Sequence, residues 1–384
     1  MARKRVERNI SYDDVRKKYY VNLDFGLDPE TGKQIKKTQT FDKVTQARAA
    51  LRKHEAARDA GQTVLPKETT VTQWLTIWMN DVIKLSRATT TVYAYQKIID
   101  NHITPALGST PLQKLTPVQL QQYYAAKIRE GKISSNTVRK HHDLLNSALQ
   151  FAVKQGLLLD NPAARVEAPT VKRPDIKYYS LEQLQTLLQL SEGTRIEVLI
   201  KLAGLLGLRR EEIMGLTWDC VDFEGKKIRI AEARTMAGKD VIVKDPKTIT
   251  SVRTLYMTPE IEDLLKREKA KQEANRQTLG AGYHDSVYVF TFEDGSTIRP
   301  NYASDLFKKF IEDNNLPPLT LHGLRHSFAS IANSKGIPMY DIGKALGHSS
   351  PSTTSKIYTH LLDPDHRDML EKMWESDDKN TPTD

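Results

Sequence analysis

The C-terminal third of the chain carries three motifs: Leu321-His322-Gly323-Leu324-Arg325-His326, Leu346-Gly347-His348-Ser349 and Lys356-Ile357-Tyr358-Thr359-His360. These motifs place imidazoles, a guanidinium and a phenol close together in sequence, with no cysteine and no cluster of carboxylates among them. Such side chains suit a phosphodiester better than a metal ion, because arginine offers paired donors to phosphate oxygens. The motifs therefore indicate phosphate chemistry, and the rest of the chain must supply the remaining groups.

Two upstream segments offer further cations. Arg209 follows Gly207 at the junction of two predicted helices, where a bend can aim its guanidinium into a cleft. Lys247 lies in a predicted hairpin turn, and residues 252–257 form the predicted returning strand. Guanidinia can offset charge in a pentavalent transition state, and a lysine can protonate a departing alkoxide. Nearby cations favour the phenolate of Tyr358, so the joint occurrence of these groups predicts a phenol that attacks a phosphodiester.

Each of these residues also has an ordinary structural explanation. Arg210 is expected to be an ion-paired or surface neighbour, and a lysine in a hairpin is usually solvated. A lone tyrosine such as Tyr358 is more often a core or capping residue. His326 and His360 flank functional positions and are expected to be mostly structural. The functional interpretation depends on the combination, not on any one residue.

Composition narrows the class of partner. The 384 residues can form two or three domains with sizeable cores, and the formal net charge is +9. Residues 1–60 hold 15 Lys+Arg and 9 Asp+Glu, so this segment carries +6 of that excess. A basic balance of this kind favours a polyanionic partner such as nucleic acid.

The single cysteine, Cys220, excludes a disulfide framework and favours a reducing compartment. No apolar run reaches the roughly 20 residues of a membrane span, and the N-terminus lacks a secretory signal.

The pattern along the chain predicts a mainly α fold with small β-sheets (α+β), in three domains: residues 1–62, 70–166 and 175–384. The first domain is expected to be a three-stranded sheet plus one helix, because strand-like runs at 19–26 and 34–41 flank a Pro/Gly turn. A basic sheet of this size can enter a DNA major groove. It can equally be a small structural module with solvated lysines, and the residues leave both possibilities open.

The second domain reads as four helices with short connections. Val71, Trp74, Leu75 and Trp78 form one apolar stripe, and the last helix is expected to begin at a cap on Ser135 or Asn136. The third domain is a mixed α/β region with helices predicted near 300–315, 322–336, 339–346, 351–361 and 364–375. The last of these helices is amphipathic, and it can dock either on a neighbouring protomer or on its own core.

Together with Gly207-Leu208-Arg209-Arg210-Glu211-Glu212 and Pro246-Lys247-Thr248, the three C-terminal motifs resemble those of the tyrosine recombinases, the integrases of phages and conjugative transposons. Order and spacing agree over about residues 175–365. By domain layout, the N-terminal module resembles the arm-site binding domain of integrases, and the helical domain resembles their core-site binding domain.

The resemblance implies a set of catalytic residues: Arg209, Lys247, His322, Arg325, His348 and Tyr358. Arg209 and Arg325 would clamp the scissile phosphate, and His348 would donate a hydrogen bond to one of its oxygens. Glu212 would support the first arginine. The family's mixed α/β catalytic domain is the fold that this resemblance implies for residues 175–384.

The remaining implied roles concern covalent chemistry and proton transfer. Tyr358 would form the 3′-phosphotyrosyl bond, His322 would act as general acid/base, and Lys247 would protonate the 5′-hydroxyl. The reaction would need no metal and no nucleotide cofactor. Consistent with that expectation, the sequence has no GxxxxGK[ST] loop and no clustered metal carboxylates.

The implied partners are double-stranded DNA attachment sites, on which four protomers would act as a homotetramer through a Holliday junction. An excisionase or a host DNA-bending protein would be an accessory factor, and no membrane would be involved. The implied location is the bacterial cytoplasm, in association with the nucleoid. Two alternatives remain at this stage: an enzyme resembling a type IB topoisomerase, and a non-catalytic DNA-binding regulator.

Overall fold

The computed structural model describes residues 3–27, 32–59, 68–171, 175–244 and 252–347. The chain divides into two compact units, residues 1–173 and residues 174–384. The described residues are mainly helical and include three small antiparallel sheets. The predicted α+β class, with a sheet at the N-terminus, is confirmed.

The first unit opens with an antiparallel sheet whose strands pair in chain order. Ile10, Val21 and Leu23 are buried together with Ala47 of the following helix. The sheet has four strands where the sequence predicts three, because residues 4–7 pair with the second strand as a short edge. That edge strand reads Lys-Arg-Val-Glu and shows too little apolar alternation to be recognised. The elements are β1 (Lys4–Glu7), β2 (Ile10–Asp13), β3 (Lys18–Leu27), β4 (Gln34–Phe41) and α1 (Val44–Asp59).

Residues 68–171 form a helical bundle around buried apolar side chains, among them Trp74, Trp78 and Leu145. Two short π-helical turns, Met79–Ile83 and Ile99–Ile103, each join two consecutive α-helical segments into one continuous helix. The six α-helical segments therefore form the four helices that the sequence predicts. The elements are α2 (Val71–Trp78), α3 (Lys84–Ser86), α4 (Thr89–Ile98), α5 (Thr104–Leu107), α6 (Pro117–Glu130) and α7 (Ser135–Lys154).

Side chains at the helix starts fix these boundaries. Thr116 and Gln119 form a reciprocal capping box at the start of α6. The cap of α7 is Ser134, whose hydroxyl accepts a hydrogen bond from the amide of Thr137. The predicted cap at Ser135 or Asn136 was therefore wrong by one or two positions, because three consecutive polar residues can each serve as a cap.

The second unit surrounds one large apolar cluster with helices and two small sheets. Its centre is the helix Glu197–Leu205, whose residues are buried from Glu197 to Gly204, and the helix that begins at Leu321 packs against it. The helices are α8 (Leu181–Ser191), α9 (Glu197–Leu205), α10 (Arg210–Gly215), α11 (Pro259–Leu279), α12 (Pro300–Asp313), α13 (Leu321–Ser334) and α14 (Met339–Leu346). The strands are β5 (Val221–Asp222), β6 (Lys227–Ile230), β7 (Ala233–Ala237), β8 (Asp240–Lys244) and β9 (Arg253–Tyr256).

The pairing of β9 corrects the predicted hairpin. The sequence suggests that residues 252–257 return alongside β8, but β8 pairs with β7, and β9 pairs with β6. The register places Leu255 opposite Ile228, so the inward side chains of β9 continue the apolar face of β6. In contrast, β8 leaves Val241 and Val243 partly exposed and offers no such face. The predicted turn at Lys247 lies outside the described residues.

Candidate functional site

Arg209 lies at the junction between α9 and α10. Gly207 has a φ of +64°, and a Cβ there would lie 2.7 Å from Leu346 Cδ2 and 2.8 Å from Phe328 Cδ1. Glycine is therefore required for both the left-handed backbone and the close approach of α13 and α14. The turn ends at Arg209, which is the N-cap of α10. Its position follows from the predicted bend between two helices.

Glu212 holds Arg209 from the first turn of α10. Its Oε2 accepts a hydrogen bond from the backbone amide of Arg209 at 2.8 Å, and its Oε1 accepts one from Arg209 Nη1 at 2.7 Å. The Glu212 side chain is 8% exposed, whereas that of Arg209 is 36% exposed. The carboxylate therefore holds Nη1 of the guanidinium, and the Arg209 side chain stays partly exposed.

Arg325 lies in the first half of α13 and is almost fully buried, at 2% exposure. Its Nη1 donates to the carbonyl of Gly207 at 2.7 Å, and its Nη2 donates to the carbonyl of Leu346 at 2.6 Å. Burying a guanidinium is costly unless its N–H groups are hydrogen-bonded, and these carbonyls supply acceptors. Arg325 is thereby tied to the same turn that carries Arg209.

Three successive carbonyls at the C-terminal end of α14 each accept a hydrogen bond from a different arginine. Arg253 Nε donates to Ala345 at 2.8 Å, Arg325 Nη2 donates to Leu346, and Arg209 Nη2 donates to Gly347 at 3.2 Å. The C-terminal end of a helix carries partial negative charge, which favours cations there. The end of α14 thus gathers three guanidinia at the point where the chain continues to His348.

Arg253 is a component of the site that the sequence analysis missed. Its Nη1 and Nη2 donate to the two carboxylate oxygens of Glu212 at 3.0 and 2.8 Å. The signal was available in the sequence: Arg253, Leu255 and Met257 share one face of a strand, so a charged residue stands in an apolar series. A charge at such a position needs a buried partner.

The charges around Glu212 keep its carboxylate ionised. Burial by itself would raise the pKa of Glu212, but the hydrogen bonds and charge of Arg253, together with Arg209, outweigh it and lower the pKa to about 2. Glu212 therefore stays negative at any pH near neutrality. It offsets part of the positive charge that the arginines bring together.

His322 and His326 lie one turn apart on α13. Their ring centroids are 4.7 Å apart, and the rings are perpendicular. His322 keeps a solvent-exposed edge, yet partial burial of its ring and the positive charges of Arg325 and Arg209 lower its pKa below the ordinary value. The neutral imidazole, which is the form able to accept a proton, is therefore favoured at neutral pH.

A cleft of about 1080 Å³ opens beside these residues. Its polar lining includes Arg209, Arg210 and His322, and its apolar lining includes Phe307 and Leu319. Acidic residues also line the cleft: Asp175, Glu211, Asp305 and Glu312. Arg210, expected to be an ion-paired or surface neighbour, donates from Nη1 to Ser304 Oγ at 2.8 Å. The accessible part of Arg209 and the exposed edge of His322 therefore face the same space.

Family models match most of this architecture. The model described as Phage integrase family matches residues 177–364, which include every predicted catalytic residue. The model described as Phage integrase, N-terminal SAM-like domain matches residues 70–128 in the helical bundle. The chain belongs to the phage integrase family of tyrosine recombinases.

Relatives of this integrase-family chain match it over nearly its full length. A tyrosine recombinase XerC-like protein of Caldanaerobacter subterraneus subsp. tengcongensis is 29% identical over 368 residues, covering 90% of this chain and 93% of the relative. The Tn1549 transposon integrase, solved in complex with a circular intermediate DNA, has a TM-score of 0.67 at 18% identity, covering 79% of this chain and 99% of that chain. Lambda integrase, solved as a tetramer bound to a Holliday junction, has a TM-score of 0.58 at 17% identity, covering 92% and 96%. At these identities the solved structures establish the fold alone.

Half of the predicted site falls within the described residues. Arg325 of α13 donates to the carbonyl of Gly207 in the turn that carries Arg209, and His322 lines the cleft together with Arg209. The other three predicted residues, Lys247, His348 and Tyr358, lie outside the described residues, as do the helices predicted over 351–361 and 364–375. Their roles stay predictions.

Among the described residues, no three or more His, Cys, Asp or Glu side chains converge as they would around a metal ion. In the part of the chain that the structure covers, no helix combines the length and the apolar character needed to cross a membrane.

Proposed function

We propose that this chain is a site-specific DNA recombinase that integrates or excises a mobile element or prophage. It would cut and rejoin duplex DNA through a 3′-phosphotyrosine intermediate and a Holliday junction. One observation carries the proposal: Arg209 and Arg325 donate to the successive carbonyls of Gly347 and Leu346, and Arg209 shares a cleft with the imidazole of His322, whose pKa is lowered. A phosphate held by two guanidinia beside a proton acceptor is arranged for transesterification.

The proposed reaction exchanges one phosphoester for another. The phenolic oxygen of Tyr358 bonds to phosphorus, and the bond from phosphorus to the 5′-oxygen breaks. His322 receives the phenol proton, and Lys247 gives a proton to the departing 5′-oxygen, so a free 5′-hydroxyl forms. The phosphotyrosine conserves the ester, and a 5′-hydroxyl from the partner strand can therefore attack it in the reverse sense without ATP.

The binding of the scissile phosphate falls to the cationic groups in this proposal. Arg209 and Arg325 would hold its non-bridging oxygens in the fork geometry that guanidinium groups favour, and His348 would donate a further hydrogen bond. Glu212 would keep Arg209 in place. The two arginines donate to the carbonyls of Gly347 and Leu346, and phosphate oxygens can replace such acceptors when DNA is bound.

We assign the three predicted domains separate tasks: residues 1–62 bind arm-type sites, residues 70–166 bind the core site, and residues 175–384 perform catalysis. The face of the N-terminal sheet opposite α1 supports the first task. Register pairs Asn22 with Thr38 on that face, and the Thr38 hydroxyl donates to Asn22 Oδ1 at 2.7 Å. Lys36 lies on the same face, so amide, hydroxyl and ammonium groups point away from the apolar core, as base and phosphate contacts require.

We further propose that four protomers assemble on two DNA sites; lambda integrase has been solved as a tetramer bound to a Holliday junction, which supports this assembly. Excisionase or host DNA-bending proteins would set the direction of the reaction. The protein would act in the bacterial cytoplasm, in association with the nucleoid. The net charge of +9 suits binding to DNA.

A covalent trap tests the proposed chemistry. The full chain first selects duplexes from a random-sequence DNA pool, and the selected sequence is then built with a nick beside each candidate cleavage position. Wild type should form a protein–DNA adduct that survives denaturing electrophoresis, whereas Tyr358→Phe should bind the duplex equally well and form none. Wild type without an adduct, or an adduct with Tyr358→Phe, contradicts the proposal. Relaxation of supercoils without strand exchange between two sites would point instead to a topoisomerase.

The same selection tests the N-terminal sheet. If the sheet reads DNA, the selected duplexes should contain two separate sequence elements, and a chain with Asn22→Ala and Thr38→Ala should lose one of them while retaining the other. Because each base-reading pair is worth about 1–3 kcal/mol, the loss should be at least tenfold in affinity for that element. A single selected element, unchanged in the double variant, contradicts this assignment.

A further inference from the structure

Arg253 connects three elements of the second unit by hydrogen bonds. It opens β9, its guanidinium donates to both carboxylate oxygens of Glu212 on α10, and its Nε donates to the carbonyl of Ala345 on α14. Its side chain is 9% exposed and Glu212 is 8% exposed, so solvent screens this contact weakly. Each of the three guanidinium nitrogens donates one of these hydrogen bonds, so Arg253 holds Glu212 and Ala345 at the same time.

The backbone after α14 is shaped to the Arg253 side chain. Gly347 has a φ of +66°, and a Cβ there would lie 2.8 Å from Arg253 Nη1 and 3.1 Å from its Cζ. Only glycine fits this approach without displacing the guanidinium. The chain therefore leaves α14 in contact with Arg253, one residue before His348.

Arg253 differs from the two proposed phosphate ligands in its accessibility and its partners. The Arg209 side chain is 36% exposed and lines the cleft, and Arg209 and Arg325 each donate to a backbone carbonyl, of Gly347 and Leu346. Arg253 instead makes a two-pronged contact with a carboxylate, which is the strongest pairing a guanidinium forms with a side chain. It can keep this contact while Arg209 binds a substrate in the cleft.

We propose that Arg253 is a positioning residue for strand cleavage: through Glu212 it fixes Arg209, and through Ala345 it fixes the end of α14 that leads to His348. It acts through these neighbours and does not touch the DNA. The inference rests on the proposed recombinase function, because it assigns Arg253 to the alignment of that site.

The test compares Arg253→Gln and Arg253→Lys with wild type in single-turnover adduct formation on the selected nicked duplex, between pH 5 and pH 8. A misplacement of about 1 Å costs roughly 100-fold in rate, so Arg253→Gln should cleave about 100-fold more slowly while its affinity for the duplex stays within about twofold. Arg253→Lys should recover part of the rate, since lysine keeps the positive charge but lacks the paired N–H donors that bind both oxygens of Glu212. The matched control is Arg229→Gln, an exposed arginine on the adjacent strand β6, which should cleave at the wild-type rate.

The pH profile separates positioning from a general loss of structure. Without Arg253, burial should raise the pKa of Glu212, so Arg253→Gln should lose activity on acidification over a range in which wild-type Glu212 stays ionised. Arg253→Gln with a wild-type rate and profile would overturn the inference. Equal loss of duplex binding and cleavage in both Arg253 variants would also overturn it, because that result indicates a folding role alone. Failure of wild type to form the adduct would instead refute the proposed function.

Discussion

The Arg325→Lys variant should bind the selected duplex with near wild-type affinity and form the covalent adduct about 100- to 1000-fold more slowly, the usual loss when one donor to a transition-state oxyanion is removed. The charge at residue 325 is kept, so long-range attraction to DNA is unchanged. The fork is lost, because an ammonium cannot span the carbonyls of Gly207 and Leu346 as the guanidinium does. Single-turnover cleavage and a filter-binding titration measure the two quantities separately.

Lysine is a better test here than alanine. Arg325 is 2% exposed, so truncation would leave a cavity and two carbonyls without their donor, and the fold could fail for that reason alone. The control is Arg229→Lys, whose side chain is exposed on β6 and should leave the rate unchanged. A normal cleavage rate for Arg325→Lys would remove Arg325 from the proposed clamp. Complete loss of duplex binding would do the same, because the clamp acts on the transition state rather than on affinity.

The sequence was sufficient wherever a local pattern determines local structure. The apolar stripe predicted the buried face of α2, and the predicted cap of α7 lies within one or two residues of the observed one. The bend at Gly207 predicted the position of Arg209 for the same reason, because a glycine between two apolar helices marks a turn. The combination of motifs then predicted that Arg209, Arg325 and His322 meet. Arg325 bonds to the turn that carries Arg209, and the charges of both arginines lower the pKa of His322.

Strand pairing could not be predicted in this way. A strand's alternation shows which side chains point inward, but it does not show which strand supplies the partner edge. The choice of β6 rather than β8 as the partner of β9 depends on the large apolar cluster, to which β6 contributes Ile228 and Ile230. Arg253 was missed as a consequence: its partner Glu212 is 41 residues away, and the contact exists only because β9 joins that sheet.

The Glu212→Ala variant should be strongly destabilising. Glu212 is 8% exposed and accepts hydrogen bonds from Arg209 and Arg253. Removing one partner of a buried ion pair leaves uncompensated charge and costs about 3–5 kcal/mol. Urea denaturation at pH 7 should show this loss in the free energy of unfolding, and adduct formation should fall with it because Arg209 loses its anchor. The neighbouring, more exposed Glu211→Gln is the control and should change stability by about 0.5 kcal/mol or less.

The pH dependence of the free energy of unfolding provides a second, independent test of the contribution of Glu212. The pKa of Glu212 is about 2 in the folded chain and near its ordinary value of 4.5 when unfolded, so the unfolded state binds more protons between those values. The contribution of Glu212 is therefore complete above pH 4.5 and is lost as pH falls toward 2, a change of roughly 3 kcal/mol. Glu212→Gln should lack this component, and its stability should fall less steeply than that of wild type over that range. If the unfolding free energies of the two proteins changed in parallel with pH, the arginines would not stabilise the charged carboxylate. The proposed positioning of Arg209 by Arg253 through Glu212 would then have no electrostatic basis.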